Sequence, residues 1–487
     1  MKKLLLILLI PMIGFGQQTY VPDDNFEAYL EANGMGNGIA YDDSVFTSAI
    51  DAVTILDVNN KNISDLTGIE GFYSLEYLYC YSNQLISLDV SNNIFLGYLD
   101  CANNNISSLD VSQNNSLTGL YCSDNQLTTL DVSNNILLEG LNISNNLISS
   151  IDVSQNIYLH WFPCENNFLT TIDVSNNIFL GYLDCANNNI SSLDVSQNDS
   201  LTALYCSNNQ LTTLDVSNNV LLEGLNISNN LISSIDISQN IHLHWFPCEN
   251  NFLTYIDVSN NTLLKTFVCF NNQLTSLDVS QNNLLEILNF SENQINTIDV
   301  TNNPNLIELW CSYNQLTSID VSQKTALTTL VCNNNLLTSI YLSQNTALEV
   351  FGCHFNQLTS LDVSEATNLF SFNCENNNLT SLDLRNGNNT NMGYFDAGVF
   401  YPYIWCRNNP YLSCINVDDS NWSTTNWIID PQHYFSNNCP PSSIQEETAN
   451  KEFLKVTDLL GRETKETNQP LFYIYDDGTV EKRITID

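Results

Sequence analysis

The stretch Leu96–Asn114, LGYLDCANNNISSLDVSQN, decides the fold. Leu99 and Cys101 are two residues apart and flanked by polar or aromatic side chains, which is the period of a β-strand with one buried face. Asn104, three residues after Cys101, is placed to turn inward, where its amide can satisfy backbone groups removed from water. Leu109 and Val111 repeat the alternation with Asp110 facing outward. The whole pattern, L-x-x-L-x-C-x-x-N-x-L-x-x-L-D-V-S-x-N, returns every 21 residues.

The register is strict. Cysteines stand at positions 80, 101, 122, 164, 185, 206, 248, 269, 311, 332, 353 and 374, and the three missing places hold Ile143, Ile227 and Phe290. An asparagine follows each of these places by three, from Asn83 to Asn377 without exception. A second period of 84 residues lies on top of the first: Ile94–Asp110 recurs unchanged as Ile178–Asp194, and WFPCENNFLT occurs at both Trp161 and Trp245. Identity of that length marks a four-unit segment copied whole.

Such a repeat builds one coil per unit, and stacking coils in register pairs their strands in parallel about 4.8 Å apart. The asparagines then form a ladder. The cysteines, interchangeable with Ile and Phe, read as small apolar core residues, and no Cys-x-x-Cys pair exists to suggest a metal site. The repeat resembles the leucine-rich repeat family, in its short bacterial form, over residues 53 to about 414. That resemblance implies a β-rich solenoid with a parallel sheet on the concave face and short strands or turns on the convex face.

The ends depart from the pattern. Met1–Lys3 followed by the apolar Leu4–Ile13 reads as a signal peptide over residues 1–16. Residues 17–52 are expected to form an N-terminal cap, in which 19–35 read as an amphipathic helix with Asp23 or Asp24 as its N-cap and Phe26, Tyr29 and Leu30 on one face. An open solenoid needs such a lid. Repeats fill 53–384. The next matching cysteine, Cys406, comes 32 residues after Cys374 instead of 21, so about eleven extra residues loop out within 385–402. Residues 385–439 hold this last repeat and a C-terminal cap in which Cys414 and Cys439 are candidates for a disulfide, a pairing that export permits. Residues 440–450 are linker-like. In 451–487, KVTDLLGRE and PLFYIYDDGTVEKRI predict a small β unit turning at Asp477–Gly478. This unit resembles the type A sorting domain of the bacterial type IX secretion system, though without the usual upstream Pro-Asn segment. The resemblance implies passage across the outer membrane through that machinery, and then release or attachment to the outer surface.

The convex half of each unit carries an aspartate row, Asp89 to Asp320 in steps of 21, interrupted by Tyr341 and resumed at Asp362 and Asp383. A local reading has each carboxylate accept the N–H of the serine two residues on, an Asx turn; a sharper one has the row collect Ca2+.

Composition narrows the function. Fifty-three acidic residues against 13 basic ones give a formal charge of −40, which repels phosphate backbones, so nucleic acid is a poor partner. No later apolar run is long enough for a transmembrane segment. Neither G-x-S-x-G, a phosphate loop nor H-E-x-x-H occurs, and His160 and His244 are copies of one another, so neither catalysis nor a resident cofactor is expected. What remains is the concave face. Reading its outward positions gives Tyr77, Tyr79, Tyr81, Tyr98, Tyr121, Trp161, Tyr182, Tyr205, Trp245, Phe270, Trp310, Tyr403 and Trp405, interleaved with Asp100, Glu165, Asp184, Glu249 and Glu308. Aromatic side chains in that quantity anchor interfaces. The expectation is a protein or polysaccharide ligand, neutral or basic, held by Tyr77, Tyr79, Tyr98, Tyr121, Trp161, Tyr182, Tyr205, Trp245, Trp310 and Trp405. The alternative is a structural surface or biofilm component cross-linked by divalent cations through the aspartates.

Overall fold

The computed structural model describes residues 17–396 and 399–440, together with three short strands farther on. The segment read as a signal peptide, most of the 440–450 linker and the Asp477–Gly478 turn lie outside the described residues.

The chain forms a parallel-strand β-solenoid. Sixteen three-residue strands, from Ile55–Asp57 to Ser371–Asn373, make one sheet in which sequence neighbours are spatial neighbours. Leu78 pairs with Leu99, Leu99 with Leu120 and Leu120 with Leu141, one leucine column along the sheet. Beyond each strand the pairing continues at the cysteine: the Cys101 N–H donates to the Tyr121 carbonyl at 2.8 Å.

Each coil buries the same set. In the Leu96–Asn114 coil, Leu96, Leu99, Cys101, Ile106 and Val111 are fully buried and Leu109 nearly so. Each large apolar side chain buried contributes about 1.5–3 kcal/mol, and together they form one continuous rod-like core from Val21 to Phe435. The cysteine column lies wholly inside it as free thiols. Burial pushes the Cys122 thiol up to about 12, so it packs as a hydrophobe.

The asparagine ladder does what its position requires. Asn146 Nδ2 donates to the carbonyls of Cys122, Ile143 and Ser144 at 3.0–3.1 Å, and its Oδ1 accepts the Leu127 N–H at 2.9 Å. One side chain thus stitches its own turn to the preceding coil. The residue before each ladder asparagine takes a left-handed conformation, from Ser82 (φ 56°) to Asn376 (φ 56°). Asparagine or aspartate fills most of these places because a short polar side chain tolerates that region.

A second asparagine column runs along the convex turn. Asn156 Nδ2 donates to the carbonyls of Val132 and Asn135 at 3.0 and 2.9 Å, and the bonds repeat from Asn93 to Asn303 and at Asn345. Lys324, 1% exposed, takes one of these places and donates to the Thr301 carbonyl at 3.2 Å.

Of the short strands or turns expected on the convex face, most coils take turns. A second strand in every coil does not form. The Val90 carbonyl already accepts from the Asn93 N–H and from Asn114 Nδ2, so it is spent in turns and not in a ladder. Convex strands appear at the C-terminal end, where Ser360–Asp362, Ser381–Asp383, Cys414–Asn416 and Tyr434–Ser436 form a parallel four-stranded sheet. The coil containing Ser360–Asp362 ends in Ala366, with no asparagine amide at the column position.

The N-terminal lid consists of β1 (Gln18–Tyr20), α1 (Asp24–Ala32), β2 (Ser44–Phe46) and α2 (Thr47–Ile50), with β1 and β2 antiparallel. The helix is shorter than the expected 19–35 because Gln18–Tyr20 is drawn into the β1–β2 pair. Asp23 caps α1: its Oδ1 accepts the N–H groups of Asn25 and Phe26, and its Oδ2 accepts the N–H and hydroxyl of Ser64, joining lid to first coil. Phe26 stacks on Phe72 with ring centroids 6.4 Å apart.

At the other end the extra residues form a hairpin, Gly393–Asp396 with Val399–Pro402, after which Asn373 bridges Trp405 and the register resumes. Asn409 then donates to the Cys374 and Cys406 carbonyls as the ladder demands. Cys414 and Cys439 form a disulfide. A separate antiparallel unit follows, Phe453–Thr457, Pro470–Tyr475 and Val480–Ile484.

Candidate functional site

Strand alternation sends Leu and Cys inward and leaves three outward columns on the concave sheet. Over the nine strands from Tyr77–Tyr79 to Trp245–Pro247, eight of the predicted rings join into one unbroken stripe. Tyr98 lies 6.3 Å from Tyr77 and 5.2 Å from Tyr79; onward, centroid steps of 5.1, 5.5, 6.0, 5.6 and 5.5 Å connect Tyr98, Tyr121, Trp161, Tyr182, Tyr205 and Trp245. These spacings suit ring–ring contact. Most of the rings are half-buried, while Tyr77 and Trp245 are exposed.

Glycines make the stripe possible. A Cβ at Gly140 would lie 2.8 Å from the Tyr121 hydroxyl, and one at Gly119 within 3.0 Å of the Tyr98 and Tyr121 rings. The missing side chains let the rings lie down across the sheet. Tyr98, Tyr121 and Trp161 wall a pocket of about 360 Å³ over Gly119 and Gly140, with Glu139 and His160 at its rim. The copy 84 residues on repeats the walls as Tyr182, Tyr205 and Trp245 but carries Ala203 in place of Gly119. Its rings meet edge to face, at 89° and 83°, where those of the first bay tilt at 32° and 38°.

Carboxylates sit among the rings. Burial raises the carboxyl groups of Asp100, Glu165, Asp184 and Glu249 above the usual range. The Ala102 and Ala186 N–H groups donate to Asp100 and Asp184 at 3.2 and 3.0 Å, but Glu165 Oε2 and Glu249 Oε2 are buried without a hydrogen-bond partner. The same surroundings push the Tyr98 and Tyr182 hydroxyls up to about 12, burial being the main cause, followed by Tyr121 and Asp100 for Tyr98 and by Asp184 for Tyr182. The face therefore offers apolar ring surface beside acceptors short of donors.

Two predicted residues stand apart from the stripe. Trp310 donates from Nε1 to Glu308 Oε2 at 3.0 Å, tying up both. Trp405 belongs to a second cluster, 4.8 Å from Tyr403 and 5.7 Å from Tyr394. Tyr394 and Tyr401 come from the inserted hairpin and stack at 5.4 Å; the sequence reading counted the insertion but not its rings. Tyr81 and Phe270 are half-buried on the outer column.

On the convex side every aspartate makes the local turn. The Ser133 N–H donates to Asp131 Oδ1 at 2.9 Å and the Ser154 N–H to Asp152 Oδ1 at 2.9 Å, and the contact recurs from Asp89 to Asp362. These bonds hold the Asp131 and Asp152 carboxyls below the ordinary value.

No protein-family model and no curated protein matches the chain. Solved structures do. The functional domain of InlJ from Listeria monocytogenes, which includes a cysteine ladder, is 35% identical over 74% of this chain and 82% of its own, with a TM-score of 0.68. A leucine-rich repeat protein of Leptospira interrogans is 23% identical, covering 68% of this chain and 92% of its own at a TM-score of 0.61. The internalin InlF of L. monocytogenes is also 23% identical, over 68% and 95%, at 0.57. Among the described residues no helix is long and apolar enough to cross a membrane.

Proposed function

The chain belongs to the bacterial leucine-rich repeat proteins, and from that premise we propose that it is an exported, non-catalytic recognition module that captures a protein or glycan on its concave aromatic face. The observation that carries this reading is the stripe of eight touching rings from Tyr77 to Trp245. Rings of this kind are the side chains that dominate binding interfaces. The unpartnered oxygens of Glu165 and Glu249 favour a ligand that brings hydrogen-bond donors or positive charge. Trp310 and the Trp405 cluster would extend contact toward the C-terminal end.

On this reading residues 1–16 are removed on export, 17–52 cap the repeats of 53–384, 385–439 close them, and 440–450 lead to a sorting domain at 451–487. That last unit would pass the chain through the type IX secretion machinery, leaving the solenoid secreted or attached to the outer surface of a bacterial outer membrane. Its support is the KVTDLLGRE and PLFYIYDDGTVEKRI resemblance together with an antiparallel three-stranded unit at the same place.

The test is capture on protein and glycan arrays by the wild-type chain and by the Trp161→Ala/Trp245→Ala/Trp310→Ala variant, with circular dichroism to confirm the fold. Loss of a saturable ligand in the variant is expected. Undiminished binding would move the site off the concave face. Calcium-dependent self-association with no saturable ligand would favour the cross-linked matrix component.

A further inference from the structure

The N-terminal lid holds three carboxylates that the concave face does not use. Asp24 and Glu27 lie on α1, and Asp43 lies on the segment entering β2. One oxygen from each falls within 4.8 Å of the other two, and among the described residues this is the one trio of acidic, histidine or cysteine side chains so close. Two oxygens bound to one calcium ion at about 2.4 Å each can be no farther apart than this.

Glu27 is the telling member. It is fully buried. Its Oε1 accepts the Asp42 N–H at 3.0 Å, while its Oε2 is buried with no hydrogen-bond partner. A carboxylate oxygen removed from water is costly unless a donor or a metal meets it. The protein supplies no cation for the purpose. Lys61 is the sole basic residue between positions 17 and 76, and its Nζ lies over the Tyr29 ring, 5.7 Å from the centroid. Of the neighbouring acids, Asp42 accepts from Asn37 and Ser44 while its carboxyl also lies against that of Glu27, and Asp23 accepts from Ser64.

We propose that Asp24, Glu27 and Asp43 hold one calcium ion, which clips α1 to the segment entering β2 and so locks the lid of the solenoid. Three carboxylate oxygens are hard donors of the kind calcium prefers, and its flexible shell of six to eight oxygens can be completed by water and backbone carbonyls. Burial raises the Glu27 carboxyl above its ordinary value, and a bound divalent cation would bring it back down. The convex aspartates gather no such trio, so this site is distinct from the row.

The test is calorimetric titration of the chelator-treated full chain with calcium, alongside thermal melts with and without the ion. One saturable site and a higher melting temperature are expected. Asp24→Asn/Asp43→Asn, which alters only exposed side chains, should weaken that site at least tenfold and abolish the melting shift. Asp131→Asn/Asp152→Asn on the convex row should leave both intact. Absence of saturable binding at millimolar calcium, or a site that survives in the Asp24→Asn/Asp43→Asn chain, would overturn the proposal.

Discussion

Asp131 and Asp184 share a chain, a charge and a 21-residue repeat, on whose opposite faces they lie, and their environments drive them in opposite directions. Asp131, on the convex side, receives the backbone and side-chain bonds of Ser133 and is held acidic. Asp184, on the concave side, is raised by burial against the sheet, with the Ala186 N–H as partial relief. The convex carboxylate is satisfied within three residues of itself; the concave one stays raised despite bonds from Ala186 and Tyr182, and its neighbours Glu165 and Glu249 each bury an oxygen with no hydrogen-bond partner. Local satisfaction marks scaffold, and unmet demand beside apolar rings marks a surface shaped for something else.

The largest expected effect sharpens this contrast at the level of binding. Trp161→Ala/Trp245→Ala should weaken capture by on the order of 100-fold or more, while Asp131→Asn, Asp152→Asn, Asp173→Asn and Asp194→Asn combined leave it unchanged; equal losses on titration calorimetry would erase the distinction. Next comes stability. Asp131→Ala removes an Asx-turn acceptor and should cost about 1 kcal/mol in urea unfolding, whereas Asp184→Asn removes a charge that the fold disfavours and should raise stability by up to about 1 kcal/mol at pH 7 after allowance for solvent screening.

The pH dependence follows with its own sign. Convex carboxyls are lowered on folding, so they favour the fold above the unfolded carboxylate range and lose that contribution as pH falls through their lowered folded values. Concave carboxyls are raised, so their cost is present at neutral pH and fades as pH falls through their raised folded values. The advantage of Asp184→Asn should therefore vanish in melts near pH 3, and a constant advantage across pH would show that charge is not its cause. The smallest effect is steric. Ala203→Gly restores to the second bay the floor of the first, and should bring its ligand affinity within about twofold of it on single-bay variants; a persistent difference would place it in the ring walls.

Much of this was legible beforehand because the repeat multiplies weak signals. One Leu-x-Cys alternation is ambiguous, but the step from Cys80 to Cys374 fixes the concave face and hence which rings point outward. The ladder role of Asn146 followed from its place at the turn. Less visible was the second asparagine column: Asn156 stands in the motif, but nothing in its spacing says that it binds two carbonyls of an earlier coil. The choice between strand and turn on the convex face stayed open for the same reason, since L-D-V alternates like a strand while its carbonyls are consumed by turns and by that column. Which rings touch depends on Gly119, Gly140 and Gly224, whose value lies in what they omit. The stacking of Tyr394 on Tyr401 needed the hairpin, which breaks the register on which the reading relied.

The cysteine column has a kinetic consequence. Disulfide chemistry requires a thiolate that a partner can reach, and neither condition holds for thiols sealed in the rod with their acidity suppressed. Unfolded, the same chain exposes fifteen cysteines at once, with a vast number of wrong pairings open to it. In an oxidising compartment the polypeptide thus runs a race in which coil stacking must outpace oxidation; once the coils have closed, Cys414–Cys439 is the bond left for a reductant to address.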